Sequence, residues 1–330
     1  MISKLTSLPV VPRSEDEDLL HRYKGVPYIR TFPMEALECM ETFEVRSDDL
    51  FLITYPKAGT TWTQEIISMV MSGANEEELI KTHLFFRFPF LEMNWASHYS
   101  QCDQVPSVYK FLHKVPSPRT IKTHLTMDHL PHQLFTKKPK VIYVARNPKD
   151  VAVSFFHMHH HFNILPYYSD FSRFLSDCMK GEEKCLISFL QISVHCGSWY
   201  EHTLSWWQKR NEPNVLFLKY EDMKQDLRKA VKQIANFLDC KMSEEAVELT
   251  VRHCSFESMK QNRSANPDYL EFFAGDSEGE KTIEPNASFI RKGTVGDWKN
   301  YFTVSQNEAF DADYKTKMEG TELTFDFQMN

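Results

Sequence analysis

The sequence predicts an α/β fold, with a central parallel sheet flanked by helices in a single domain. Four short apolar runs, residues 50–55, 119–123, 141–145 and 215–220, are rich in β-forming residues and read as strands buried on both faces. Segments of helical periodicity alternate with them, which implies a parallel sheet. No fixed-period repeat and no linker rich in Pro, Gly or Ser divides the 330 residues, so one domain over 1–330 is the simpler reading.

The first strand runs through a short loop into a helix over 60–71, with apolar residues at Trp62, Ile66, Met69 and Val70, and Thr60 and Thr61 offer N-cap hydroxyls. The same order repeats at 141–146, followed by a helical segment from 150 to about 161, and at 215–220, followed by 226–238. Two stretches read as irregular, 163–170 and 262–286, and long irregular segments in a compact domain are often lids or binding loops.

Composition narrows the function. With 42% hydrophobic and 25% charged residues, the chain lies in the globular range and can bury a large core. A formal net charge of −7 argues against general attraction to nucleic acid or an anionic membrane, so an anion site requires a local cluster of Lys and Arg. Residues 1–20 mix Lys4, Arg13 and the acids at 15–18, without the apolar stretch of a signal peptide. No segment has the uncharged length that spans a bilayer. The seven cysteines are scattered without a Cys-x-x-Cys pair, as expected of reduced thiols in a cytoplasmic protein. The sequons at Asn262 and Asn286 then read as chance matches.

Three clusters carry chemistry. The first is Tyr55-Pro56-Lys57-Ala58-Gly59-Thr60-Thr61-Trp62, between a strand and a helix start. Backbone N–H groups at a helix N-terminus, a lysine and two hydroxyls can hold a phosphate-like anion, although a plain strand-to-helix turn would look similar. The nucleotide-triphosphatase loop places its lysine after the last glycine, whereas Lys57 precedes Gly59, which points to another donor. The second cluster runs from Tyr143 to His157, where Arg146 at a strand end can fork onto a phosphate and Ser154 can donate from the helix that follows. An Arg paired with Asp150 and a helical Ser bonded to its own backbone are the plainer alternatives. The third is Arg291-Lys292-Gly293, continuing to Lys299, where two cations beside a glycine offer both side chain and backbone to an anion; a solvated basic turn is the alternative.

These motifs, in this order, resemble those of the cytosolic sulfotransferase family, with a P-loop-like fold, and the likeness extends from Tyr23 through Tyr314. The resemblance implies that 3′-phosphoadenosine 5′-phosphosulfate (PAPS) is the donor, leaving 3′-phosphoadenosine 5′-phosphate (PAP), with no metal required. It implies donor contacts from Lys57, Ala58, Gly59, Thr60, Thr61 and Trp62, from Arg146 and Ser154, from Tyr220, from Cys254, Ser255 and Phe256, and from Phe289, Ile290, Arg291, Lys292 and Gly293. Cys254 stands where the family usually has threonine, which removes a hydroxyl contact to the base, and Ile290 replaces a frequent Met at little cost.

His124 occupies the family's catalytic position, with Lys122 beside it. An imidazole titrating near about 6.5 suits the general base that takes a proton from an acceptor hydroxyl. Lys57 would stabilise charge growing on the leaving phosphate, and Lys122 would hold the sulfuryl oxygens. Phe32, Phe90 and Met158, with Lys122 and His124, would line an apolar pocket for a phenol, steroid or amine, the substrates of xenobiotic and steroid metabolism. The run His157, His159, His160, His161 suggests a metal, but its one i, i+4 pair lacks a completing acid or Cys, so it is read as a polar helix end near the acceptor mouth. The segment from Lys299 to Glu308 matches the family's dimer element and predicts a small homodimer interface; alone it would read as a surface strand. Two other readings stand beside this one, a P-loop-like small-molecule kinase and a non-catalytic binder of adenosine bisphosphates.

Overall fold

The computed structural model describes residues 19–94, 107–161, 165, 168, 170–180, 196–269 and 288–329. The reading of the N-terminal segment, Cys102, Cys185, Asn286 and most of the two irregular stretches lie outside the described residues.

An antiparallel pair, β1 (Leu20–Tyr23) and β2 (Val26–Ile29), precedes the main sheet. That sheet comprises β3 (Leu50–Thr54), β4 (Thr120–Thr123), β5 (Lys140–Ala145) and β6 (Val215–Lys219) in the order β4-β3-β5-β6. All its pairings are parallel, with Leu50 opposite Thr120 and Lys140, and Val141 opposite Val215. The expected strands thus fall within a residue of their observed bounds, and every residue of β3 is buried.

Because side chains alternate across a strand, the sheet separates two cores. Phe51, Ile53, Ile121, Val141 and Tyr143 face one. Leu50, Leu52, Ile142 and Val144 face the other, where Ile66 and Ile67 from the Thr60–Met71 helix and Val231 and Ile234 from the Leu227–Phe237 helix pack against them. At the opposite edge from the site, Asp49 and Arg119, which precede β3 and β4, form a fully buried two-pronged ion pair with contacts of 2.7 and 2.5 Å.

Helix starts differ from expectation in two places. Gly59, in the left-handed region at φ 106°, is the N-cap of the Thr60–Met71 helix and makes no side-chain cap, so neither Thr60 nor Thr61 caps it. Thr60 instead shares a 2.7 Å hydrogen bond with the Thr54 hydroxyl, anchoring the helix start to the end of β3. The helix after β5 begins at Pro148, where the fixed φ of proline suits the first turn, and Asn147 Oδ1 accepts the Asp150 N–H at 2.9 Å. Near the C-terminus, Val304–Lys317 is a helix rather than a surface strand, opened by a capping box between Thr303 and Gln306.

Candidate active site

A parallel sheet brings the carboxyl ends of its strands to one edge, and here the segments following β3, β4, β5 and β6 converge there. The segment after β3 is the loop around Lys57, itself left-handed at φ 68°. Gly59 must be glycine: a Cβ would stand 2.7 Å from Tyr220 Cδ2. After β5, Arg146 donates to the Lys57 carbonyl at 3.2 Å and the Thr294 carbonyl at 3.1 Å, while its guanidinium lies 4.3 Å over the Tyr220 ring. One buried arginine therefore ties the first and third motifs together.

The third motif is stapled from below. Asp150 accepts from the Gly296 N–H at 2.8 Å and the Trp298 N–H at 3.0 Å, so it anchors that loop rather than pairing with Arg146. Arg291 and Lys292 each reach Asp297 at 2.6 Å. Burial works to raise the Asp297 carboxyl, but hydrogen bonds from Lys292, Asn300 and Arg291 bring it down to about 2. Gly293 at φ 62° leaves room for Phe256, whose Cδ2 would be 2.5 Å from an added Cβ. Lys57 Nζ rests 3.7 Å from the centre of the Phe289 ring. Burial, with Arg146 and Arg291 nearby, pushes its amine down to about 7.

After β4, His124 is held at two atoms. Its backbone N–H donates to Glu92 Oε1 at 2.7 Å, and its ring Nδ1 lies 2.7 Å from the Thr54 carbonyl. A carbonyl only accepts, so Nδ1 carries the hydrogen and Nε2 keeps its lone pair. Burial, with the Lys122 and Lys57 charges and against the Thr54 hydrogen bond, pushes the imidazole down to about 3, well below the value near 6.5 expected of a free imidazole; this keeps the Nε2 lone pair unprotonated in the free protein but makes it a weaker base. Burial brings Lys122 down to about 8 against the pull of Glu92, and raises the Glu92 carboxyl to about 7. Lys122 lies 4.8 Å over the Phe90 ring, and that ring meets His124 edge-on at 4.9 Å.

One cavity of about 240 Å³ lies among these groups. Lys57, Gly59, Thr60, Thr61, Trp62, Arg146, Ser154, Tyr220, Phe256, Phe289, Ile290, Arg291, Lys292 and Gly293 line it, and Phe32, Phe90, Lys122, His124 and Met158 border it as well. A family model described as a sulfotransferase domain matches residues 47–322.

The chain belongs to the sulfotransferase family.

It is 40% identical to sulfotransferase 1A1 of Canis lupus familiaris, over 93% of this chain and 95% of that protein. It is likewise 40% identical to sulfotransferase 1B1 of Mus musculus, over 94% and 95%. Among solved structures, mouse sulfotransferase SULT7A1 complexed with PAP superposes with a TM-score of 0.70 at 32% identity, covering 92% of this chain and 96% of that one. Retinol dehydratase in a complex with retinol and PAP gives 0.78 at 26% identity, covering 92% and 90%.

Three of the residues expected at the sulfotransferase donor site do not line the cavity. Ala58 is fully buried beneath the loop. The Cys254 side chain points into the core, and its carbonyl accepts the Trp62 indole N–H at 2.7 Å, so this position acts through its backbone. The Ser255 hydroxyl caps the Phe256–Gln261 helix. Conversely, Ile29, Phe85, Met93 and Leu165 join the apolar wall, and Lys224 stands 5.5 Å over the Trp62 ring. None sits in a recognisable motif; Phe85, in an aromatic pair before Arg87, offered the nearest signal. The histidine run diverges: His157 meets the Tyr301 hydroxyl, His160 the Tyr168 carbonyl and His161 the Asp268 carboxylate. Among the described residues no group of His, Cys, Asp and Glu is arranged to hold a metal.

Proposed function

We propose that this sulfotransferase transfers a sulfuryl group from PAPS to a hydroxyl or amine of a small apolar acceptor, with His124 as general base. The observation that carries this reading is the pairing of a cationic cradle with a neutral imidazole whose Nε2 is free, in one cavity. The residues fit the donor's two anionic ends. Lys57 and the backbone around Gly59 would take the 5′ end; Arg146, Ser154, Arg291, Lys292 and Gly293 would take the 3′ end, where Asp297 already stands as an anion between the two cations. Trp62 and Tyr220, whose rings meet edge-on at 5.3 Å, would hold the adenine.

When bound, the donor supplies an activated sulfuryl group on a good leaving phosphate. His124 Nε2 takes the acceptor proton, and the Thr54 carbonyl steadies the resulting imidazolium through Nδ1. Lys57 and Lys122 supply fixed positive charge where negative charge grows, and both are softened by burial until an anion arrives. Phe32, Phe90 and Met158, with Phe85 and Met93, form an apolar wall suited to a phenol, steroid or similar acceptor, consistent with xenobiotic and steroid metabolism.

The test is a screen of phenols, steroids and amines with labelled PAPS, scored by sulfated product. Magnesium-dependent ATP turnover in its place would favour the kinase reading, and tight PAP binding without any transfer the non-catalytic one.

The whole chain, 1–330, is read as one sulfotransferase unit that forms a homodimer through the segment from Lys299 to Glu308. Val304, at the exposed start of the C-terminal helix, is the apolar centre of that segment at 77% exposure. Gel filtration with light scattering should give twice the chain mass at micromolar concentration; monomer alone would refute the dimer. A cytoplasmic site is supported by the free thiols of Cys39, Cys196, Cys240 and Cys254. No helix among the described residues is long and apolar enough to cross a membrane.

A further inference from the structure

Behind the cavity wall lies a charged cluster with no part in the chemistry above. Glu65, in the Thr60–Met71 helix, is fully buried. Its Oε2 accepts from Arg87 Nη2 at 2.6 Å, and its Oε1 accepts from His253 Nε2 at 2.7 Å. The other ring nitrogen of His253, Nδ1, lies 2.9 Å from Glu76 Oε1. Asn262 Nδ2 adds 3.3 Å contacts to both Glu65 Oε1 and His253 Nε2, with its amide oriented by Ser264, which donates twice to Asn262 Oδ1.

Both nitrogens of His253 therefore face carboxylate oxygens. A neutral imidazole would aim a lone pair at one of them, whereas the imidazolium satisfies both. Burial works to lower the His253 pKa, but the hydrogen bonds and charges of Glu65 and Glu76 outweigh it and the net shift is upward. Arg87, on the other carboxylate oxygen of Glu65, is the second cation that carboxylate serves. His83 is held neutral by burial, which lowers it to about 4, and the Cys254 thiol is kept protonated by burial.

The cluster adjoins a turn that leads to three cavity contacts. His253 ends the Glu244–His253 helix, and the next residue, Cys254, gives its carbonyl to the Trp62 indole. Ser255 then caps the short helix bearing Phe256 and Met259, both of which line the cavity. Neither Glu65, Glu76 nor His253 lines the cavity.

We propose that His253, clasped between Glu65 and Glu76, is the positioning residue of the adenine subsite, and that its charge sets how firmly Trp62 presents its face to the base. The inference rests on the adenine placement given under Proposed function. The sign follows from linkage: a group whose pKa is raised by its native partners gives its full contribution below its ordinary pKa of about 6.5 and loses it as pH rises through the raised value. Base recognition should then weaken on the alkaline side.

The experiment compares the dissociation constants of adenosine 3′,5′-bisphosphate and uridine 3′,5′-bisphosphate, measured by calorimetry from roughly pH 6 to pH 8.5, below the ionisation of the uracil N3–H. Lys57, Lys122 and the arginines see the phosphates of both ligands alike, so their titration cancels in the ratio, while Lys224, over the Trp62 ring and lowered by burial, contributes equally in wild type and in Glu76→Gln. In the wild type the preference for adenosine should fall several-fold across this range. Glu76→Gln, at a half-exposed position, keeps an acceptor for Nδ1 but removes a charge, so the fall should move to lower pH. His253→Gln should show a smaller preference with a flat pH course, and if it fails to fold the other two proteins decide. An adenosine preference with the same pH course in wild type and Glu76→Gln overturns the inference alone. No preference at any pH in the wild type overturns the adenine placement, and the inference with it.

Discussion

The Nδ1 hydrogen of His124 goes to the Thr54 carbonyl at 2.7 Å, and Thr54 is the last residue of β3, one residue before the donor loop begins. The imidazole proposed as base and the loop proposed to grip the donor thus share one strand end, and any shift of β3 moves both. Replacing the imidazole should spare the grip. We expect His124→Ala to lower the transfer rate by about 10²–10⁴-fold while leaving PAP affinity near that of the wild type by calorimetry. Retention of most of the rate with a phenol or steroid acceptor would show that another group takes the proton.

Lys57 gives a pH dependence. Its amine sits at about 7 in the free protein, and a bound phosphate favours the charged form. PAP affinity should therefore fall as pH rises above about 7. In Lys57→Met the affinity should be lower throughout and its pH slope shallower by one proton. An unchanged slope in that variant would place the titration elsewhere.

Gly59→Ala combines an unfavourable left-handed φ of 106° with a Cβ 2.7 Å from Tyr220. The backbone conformation alone costs about 1–2 kcal/mol for a residue with a side chain. Tyr220 packs under Arg146, so its displacement should raise the KM for donor more than it lowers the melting temperature. A wild-type KM would mean that the ring moves without disturbing the arginine.

Asp49→Ala strands Arg119 as an unpaired, fully buried cation. Removing one partner of such a pair costs about 3–5 kcal/mol. Chemical denaturation should register a loss of that size, while the KM for donor in the remaining folded protein stays unchanged, because the pair lies at the end of the sheet away from the cavity.

The donor loop was legible because its eight residues are contiguous and Lys57 precedes Gly59, a local order that no folding rearranges. The acceptor wall was only partly legible. Phe32, Phe90 and Met158 were reached through family resemblance, but Phe85 and Met93 look like any core apolar residues until the chain closes around them. Cys254 shows a different limit. Its side chain gives no sign of a role, since the contact to Trp62 runs through a backbone carbonyl that every residue possesses.

By itself, the sequence determined the alternation of buried strands and helices, the parallel sheet that follows from it, and the presence of three basic motifs whose chemistry suits an anion. Those features depend on periodicity and turn chemistry acting over a few residues. Only the tertiary structure decided which nitrogen of His124 is free, that Arg146 bridges the loops at Lys57 and Thr294, and that Glu65 meets His253 across 188 residues of chain. Each of these depends on strand order and register, which bring distant backbone carbonyls and carboxylates within hydrogen-bond reach, and that proximity is a property of the packed sheet rather than of any local segment.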